Sequence, residues 1–124
     1  MNKIFLFLPL FLFAEFINFP YTFSLKKDEI KSFIIYYKKF EYPLKIRWTL
    51  FKNDFIIVHY NFNNFPRQTA LSKNYPLDAF KINLTAYERI YPYLYIKFVD
   101  FNDKIATFKI DLFNSKSVKV EEIK

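Results

Sequence analysis

Glycine and cysteine are both absent from the 124 residues of this chain. Without glycine there is no glycine-rich loop to cradle a phosphate group, and tight turns must use other residues. Without cysteine there is no disulfide, no thiolate metal ligand, no cysteine nucleophile and no cysteine to carry a lipid anchor. Stability therefore has to come from the burial of apolar side chains alone, which a domain of this size can achieve.

Histidine is nearly absent as well, because His59 is the single histidine of the chain. Any histidine general acid or base must be this residue, and no second histidine can join it in a metal cluster. No GxSxG or HExxH motif surrounds it. We interpret His59 as a structural residue on a strand face, so the chain is predicted to have no catalytic residue, no metal and no cofactor. A periplasmic hydrolase that uses His59 with a carboxylate brought near by folding is the alternative.

Aromatic and basic residues are abundant, with 18 Phe, 10 Tyr and a net charge of +7. Phe, Tyr, Ile, Asn and Lys have A/T-rich codons, so codon bias accounts for much of this composition. The basic residues are dispersed, and the tightest clusters are the pairs Lys26-Lys27 and Lys38-Lys39. No basic run typical of a nucleic-acid arm is present, so no nucleic-acid partner is expected. A basic aromatic domain that binds nucleic acid is the alternative if the chain is not exported.

The N-terminus has the layout of a bacterial signal peptide. Residues 1–3 carry one lysine, residues 4–13 are apolar, and Ala14 follows. The apolar run is shorter than the roughly 20 residues that a membrane-spanning helix needs. We therefore predict a signal peptide over residues 1–14, a single β-rich domain over 15–124 and a periplasmic location. Since Leu12 occupies a position where a small residue favours cleavage, a retained inner-membrane anchor facing the periplasm is the alternative.

Beyond the signal segment, apolar and polar residues alternate with a period of two, which predicts β-strands. The clearest case is residues 44–50, where Leu44, Ile46, Trp48 and Leu50 should share one face. The turn-forming sequence at 52–54 and the apolar residues 55–60 predict a hairpin with this strand. A second hairpin is predicted over residues 94–112, with its turn at 102–104. Trp48 is the predicted centre of the core.

The remaining pattern completes an all-β fold. Further strands are predicted at residues 21–26, 30–37, 69–71, 80–84 and 118–121, with the last as a charged edge strand. Residues 61–67 are predicted to be a loop, and 85–92 an irregular segment or a single helical turn. This spacing is typical of a small antiparallel β-sandwich, for which an immunoglobulin-like topology is preferred although the Cys-Trp-Cys framework is missing. A small closed barrel is the alternative.

Two aromatic-rich segments are candidate binding sites. The first is the predicted loop, with Phe62, Asn63, Asn64, Phe65 and Arg67; the second holds Tyr91 and Tyr93, together with Tyr87, Arg89 and Tyr95. Aromatic faces combined with amides suit the recognition of sugars or peptides, and binding residues concentrate on loops. The alternative is that these rings only pack against the core. We therefore expect an exported, non-enzymatic binding or protein-interaction module whose partner is an envelope protein or glycan.

Overall fold

The computed structural model describes residues 15–85 and 90–124, so the predicted signal segment 1–14, Tyr87 and Arg89 lie outside the described residues. The described residues form nine strands: β1 Tyr21–Lys26, β2 Lys31–Tyr37, β3 Phe40–Lys52, β4 Phe55–Phe62, β5 Phe65–Leu71, β6 Ala79–Asn83, β7 Tyr93–Asn102, β8 Ile105–Phe113 and β9 Lys119–Ile123. The all-β prediction is confirmed over these residues. The described ranges contain no helix with the length and apolarity needed to cross a membrane.

The strands form two antiparallel sheets. One sheet has the order β1-β8-β7-β6 and the other the order β5-β4-β3-β2-β9. Ring contacts join their inner faces: Phe23 of β1 lies 5.5 Å from Phe33 of β2, and Phe51 of β3 lies 6.2 Å from Phe98 of β7. Buried side chains from both sheets form a single apolar cluster. This architecture is consistent with the predicted small β-sandwich.

The preferred immunoglobulin-like strand order is not the one found. In immunoglobulin domains the first two strands pair in one sheet, whereas here β1 pairs with β8 and β2 lies in the other sheet. The closed-barrel alternative is also wrong, because the sheets do not close on each other. Two-residue alternation reports that a strand has one buried face, but it carries no information on which strand lies beside it.

Trp48 lies in the core as predicted, with 3% of its surface exposed. Its indole N–H donates a hydrogen bond of 2.8 Å to the backbone carbonyl of Leu25, which belongs to the opposite sheet. The indole therefore fills apolar space and also satisfies a polar atom that burial would otherwise leave without a partner.

Leu50 departs from the predicted pattern, because 51% of its surface is exposed. The pairing of β3 with β4 shifts by one residue between Trp48 and Leu50, so Thr49 is an extra residue in β3. Such a bulge inverts the alternation that follows it. Phe51 therefore packs against the core in place of Leu50.

Among the four two-residue hairpin turns of the described residues, three share one backbone geometry, which they adopt without glycine. Each has positive φ at both central residues, which are Asn53 and Asp54, Asn63 and Asn64, and Asp103 and Lys104. Positive φ at both positions is the requirement of the type I′ turn, and Asn and Asp tolerate it better than most residues. The predicted loop at 61–67 is therefore wrong: it is a tight turn between the ends of β4 and β5.

The segment that precedes β1 extends the larger sheet beyond β9. Phe16 forms a bridge with Glu121, and the backbone N–H of Ile17 donates to the carbonyl of Val120 at 2.8 Å. β9 is the last named strand of its sheet, as predicted, but its outer edge is partly paired by this segment. An edge that is already paired is less able to join the sheet of another molecule.

A polar cluster joins the two sheets beside β9. The Tyr21 hydroxyl donates to Glu122 at 2.7 Å, and the Lys31 ammonium donates to the other carboxylate oxygen at 2.8 Å. Burial raises the pKa of Glu122, but the hydrogen bonds from Lys31 and Tyr21 and the charges of Lys31 and Lys124 outweigh it and hold that pKa below its usual value. Burial and the bond to Glu122 raise the pKa of Tyr21 to about 12.

Candidate functional site

The predicted loop residues lie at the end of the β4–β5 hairpin. Phe62 and Phe65 are directly opposite each other in the register, with Asn63 and Asn64 between them. The backbone N–H of Asn63 donates to the carbonyl of Pro43 on β3 at 2.8 Å, which anchors the turn to the sheet. The two asparagines therefore have a clear structural role as the turn residues of this hairpin.

Phe62, Phe65 and Arg67 line a cleft between β5 and β6, the neighbouring end strands of the two sheets. We name it the edge cleft; its volume is about 330 Å³ and its full lining is Tyr60, Phe62, Phe65, Arg67, Lys81, Ile82 and Asn83. Tyr60 stacks on Phe80 of β6 with ring centroids 4.4 Å apart, which holds the two sheets together beside the cleft. The edge cleft thus combines aromatic rings with two cations and an amide.

The aromatic rings of the edge cleft differ in burial. Phe65 is 66% exposed, so it does not pack beneath the hairpin. Phe62 is partly buried and lies 5.5 Å from the ring of Tyr42 on β3. A large apolar side chain held in solvent at the rim of a cleft is available for contact with a partner.

A second group of aromatic residues lies on the outer face of the smaller sheet. We name Tyr91, Tyr93, Tyr95 and Phe113 the aromatic patch. Phe113 stacks on Tyr93 at 5.2 Å and meets Tyr95 edge to face at 5.9 Å, while Tyr91 lies 6.4 Å from Tyr93. Since Leu94 and Ile96 take the core side of β7, its alternating tyrosines face outward. The patch is therefore a surface feature, in contrast to the core-packing alternative.

Polar groups surround the aromatic patch. The Lys81 ammonium lies 4.7 Å from the centroid of the Tyr93 ring, within the range of a cation–π contact. Asn83 is opposite Tyr93 in the register, and Asp111 is opposite Tyr95. The patch thus offers flat apolar faces beside an ammonium, an amide and a carboxylate.

Burial, and next the charge of Asp78, raise the pKa of the Tyr95 hydroxyl. A hydroxyl with a raised pKa stays protonated at neutral pH and can donate a hydrogen bond. Tyr95 therefore adds a neutral donor to the aromatic patch.

Lys81 belongs to both surfaces, because it lines the edge cleft and covers Tyr93 in the aromatic patch. The two candidate segments, separate in sequence, are thereby brought next to each other by β6. Three residues of these surfaces were not predicted from the sequence: Lys81, Asn83 and Phe113. These three residues occupy the outward-facing positions of the alternating strand pattern. The pattern indicates that such positions are exposed, but it does not distinguish a binding residue from any other exposed residue.

His59 lies on the outer face of the larger sheet, remote from the aromatic patch in strand order. Its Nε2 is 2.9 Å from the hydroxyl oxygen of Thr49 on the adjacent strand. Within residues 15–85 and 90–124, no carboxylate hydrogen-bonds to the imidazole, and no three histidine or acidic side chains are grouped so that they could hold a metal ion. The arrangement around His59 is therefore a strand-to-strand hydrogen bond.

The fold and these surfaces define a two-sheet all-β domain with an aromatic and basic surface. No protein-family model matches the chain, and no curated protein or solved structure matches it at a significant level.

Proposed function

We propose that this chain is an exported, non-enzymatic binding module of the bacterial periplasm, and that it recognises a glycan of the cell envelope. The observation that carries the proposal is the continuity of the edge cleft and the aromatic patch through Lys81. Each surface offers aromatic rings with polar groups beside them, and Lys81 joins the two into one continuous surface.

The chemistry of this surface suits carbohydrate. The apolar face of a sugar ring packs on the flat face of an aromatic side chain, and its hydroxyls bond to amides, carboxylates and ammonium groups. Tyr93 and Phe113 supply stacked rings, while Lys81, Asn83 and Asp111 supply donors and acceptors beside them. Aromatic and amide side chains together also characterise other recognition surfaces that combine rigidity with adaptable hydrogen bonding.

The test is binding of the purified protein to oligosaccharides released from bacterial envelopes, measured by calorimetry and by an immobilised glycan set. Phe113→Ala and Lys81→Ala should each weaken binding about tenfold, because each removes a contact that is worth on the order of 1–2 kcal/mol. The matched control is Phe55→Ala, since Phe55 is 40% exposed and Phe113 41% exposed, yet Phe55 lies outside the surface. Equal loss in the control, or no binding to any glycan, would count against the proposal.

An envelope protein is the second candidate partner. β5 and β6 are both end strands of their sheets, and they flank the edge cleft. End strands have unpaired backbone groups that can add a strand from another chain. Crosslinking in intact cells should then recover one defined partner, and Phe65→Ala should reduce its yield while Phe55→Ala does not.

Export is tested separately from binding. We expect the protein in the periplasmic fraction with an N-terminal sequence that begins at Glu15, or with the intact leader in the inner membrane if the anchor is retained. Intact protein in the cytoplasm would refute export. In that case salt-sensitive binding to single-stranded RNA or DNA becomes the function to test, because the surface combines cations with stacked rings.

The enzyme alternative is tested through His59. If a hydrolase activity were found by substrate screening and abolished in His59→Ala, the module would be an enzyme. The proposal expects no such activity, since the imidazole has a hydroxyl partner and no carboxylate partner among the residues described.

A further inference from the structure

The outer face of the larger sheet carries a groove in the region where the imidazole of His59 lies. The register places Lys45 opposite Asn61 and Arg47 opposite His59 on β3 and β4. These four side chains line a cavity of about 260 Å³, bounded at the edge strand by Pro66 and Arg67. Residues two apart on one strand face are roughly 7 Å apart, so the four polar groups can converge on one small ligand. We name this cavity the sheet groove.

The charge of the sheet groove is strongly positive. Lys45 forms no ion pair within the described part of the chain. Arg47 has one contact to a carboxylate, that of Asp28 at 3.3 Å through a single nitrogen, and both side chains are substantially exposed. An exposed pair of this kind is weak, and a guanidinium keeps further N–H groups for another acceptor. Arg67 is a third cation in the lining.

Two further polar side chains in the groove are suited to the same ligand. The hydrogen bond between His59 Nε2 and the Thr49 hydroxyl holds the imidazole in place. The Asn61 amide adds two N–H donors. The groove therefore offers donors of three kinds, ammonium, guanidinium and amide, with the imidazole beside them. A tetrahedral oxyanion has acceptor oxygens in several directions and can use such a set.

We propose that the sheet groove is a binding site for a phosphate group. The sheet groove shares Tyr60 and Arg67 with the edge cleft, but Lys45, Arg47, His59 and Asn61 line the sheet groove and not the cleft. It is therefore a second site, and the phosphate proposal does not depend on the glycan proposal. The phosphate can belong to a small soluble metabolite or to a lipid headgroup, which share this chemistry. Its volume, about 260 Å³, leaves room for the phosphate and a small organic substituent.

The experiment is an NMR titration of the full chain with inorganic phosphate, at an ionic strength held constant with sodium chloride. We expect saturable shifts of the backbone amides of Lys45, His59 and Asn61. Lys45→Ala and Asn61→Ala should each raise the dissociation constant, by about tenfold for the lysine because its bond is charge-assisted and by several-fold for the neutral amide.

The matched control is Lys26→Ala, because Lys26 is an exposed lysine on the other sheet, at the end of β1. This variant should bind phosphate like the unmodified protein. Shifts that chloride alone reproduces, or that Lys26→Ala weakens as much as Lys45→Ala, would overturn the proposal.

Vesicles distinguish the two sources of the phosphate. The protein is sedimented with vesicles of phosphatidylcholine containing phosphatidylglycerol, and with phosphatidylcholine alone. Sedimentation that requires phosphatidylglycerol and is lost in Lys45→Ala but not in Lys26→Ala assigns the groove to a lipid headgroup. Saturable phosphate binding without such sedimentation assigns it to a soluble ligand, and the absence of both refutes the site.

Discussion

The rings of Phe51 and Phe101 stack with their centroids 4.0 Å apart and their planes 8° from parallel. Phe51 belongs to β3 and Phe101 to β7, so the pair joins the two sheets. Each ring follows a register shift in its own strand, between Trp48 and Leu50 in β3 and between Phe98 and Asp100 in β7. Two bulges, one in each sheet, thus turn these rings inward at the same place.

The first prediction concerns this stacked pair. Phe51→Ala and Phe101→Ala should each lower the free energy of unfolding by about 2–4 kcal/mol, less than a fully buried phenylalanine because both rings are partly exposed. In a double-mutant cycle by urea denaturation, the two should couple by about 0.5–1.5 kcal/mol. Additive effects would show that the stacking adds nothing to ordinary burial.

The second prediction separates the two contributions of Trp48. Trp48→Ala should cost about 3–5 kcal/mol of unfolding free energy through the cavity it leaves. Trp48→Phe keeps much of the apolar volume but leaves the buried carbonyl of Leu25 without its donor at 2.8 Å, which should cost about 1–3 kcal/mol apart from the change in ring size. Chemical denaturation measures both. A Trp48→Phe protein as stable as the original would show that the hydrogen bond is dispensable.

The third prediction concerns the turn between β4 and β5. Asn64 has a φ of 68°, where a β-branched residue is strained. Asn64→Val should lower the unfolding free energy by about 1–2 kcal/mol, whereas Asn64→Gly should be neutral or slightly stabilising. The matched control is Asn83→Val, since Asn83 lies in the extended strand β6, where valine is well accommodated. Equal effects at both positions would contradict the turn argument.

The fourth prediction is the acid dependence of stability that Glu122 imposes. Its pKa is lower in the folded protein than the ordinary value of 4.5, so the folded state binds this proton less readily than the unfolded state. The stabilisation that ionised Glu122 contributes is present above pH 4.5 and is lost as the pH falls through the lowered pKa of the folded state. In urea denaturation between pH 3 and 7, the free energy of unfolding should fall less steeply with decreasing pH in Glu122→Gln than in the original protein. Glu41→Gln, an exposed control, should keep the original slope.

Tyr21 gives the corresponding prediction at alkaline pH. Its pKa is about 12 when folded, against an ordinary value of 10.0. The folded state therefore retains the proton that the unfolded state loses, and the stabilisation declines as the pH rises from 10 towards 12. Tyr21→Phe should remove this part of the decline. An unchanged alkaline profile in Tyr21→Phe would show that the ionisation of Tyr21 is not responsible.

Most strands were predictable from the sequence because the alternation of apolar and polar residues is a pattern between near neighbours in the chain. The pattern at residues 21–26 coincides with β1, and the hairpin turn at 102–104 lies where Asp103 and Lys104 have positive φ. The prediction was wrong at residues 61–67, where Pro66 and two asparagines resemble a loop. Pro66 is accommodated in a strand because β5 is the end strand of its sheet, and a missing N–H on the outer side breaks no ladder bond.

The candidate surface was only partly predictable. Phe62, Phe65, Arg67, Tyr91 and Tyr93 were selected because aromatic residues clustered in the sequence, and they do line the edge cleft or the aromatic patch. Lys81 lies on a short strand with no such cluster. Its importance comes from the position of β6 between the two groups, which no local pattern shows.

The sequence by itself determined where most of the strands form, where the turns at 53–54 and 103–104 lie and that Trp48 is buried, because periodicity and turn chemistry act between near neighbours in the chain. Only the tertiary structure decided that β1 pairs with β8, that Phe51 and not Leu50 enters the core, and that Lys81 links the two aromatic segments. These outcomes depend on pairing between distant residues and on one-residue shifts in register, and a single residue of shift exchanges the two faces of a strand.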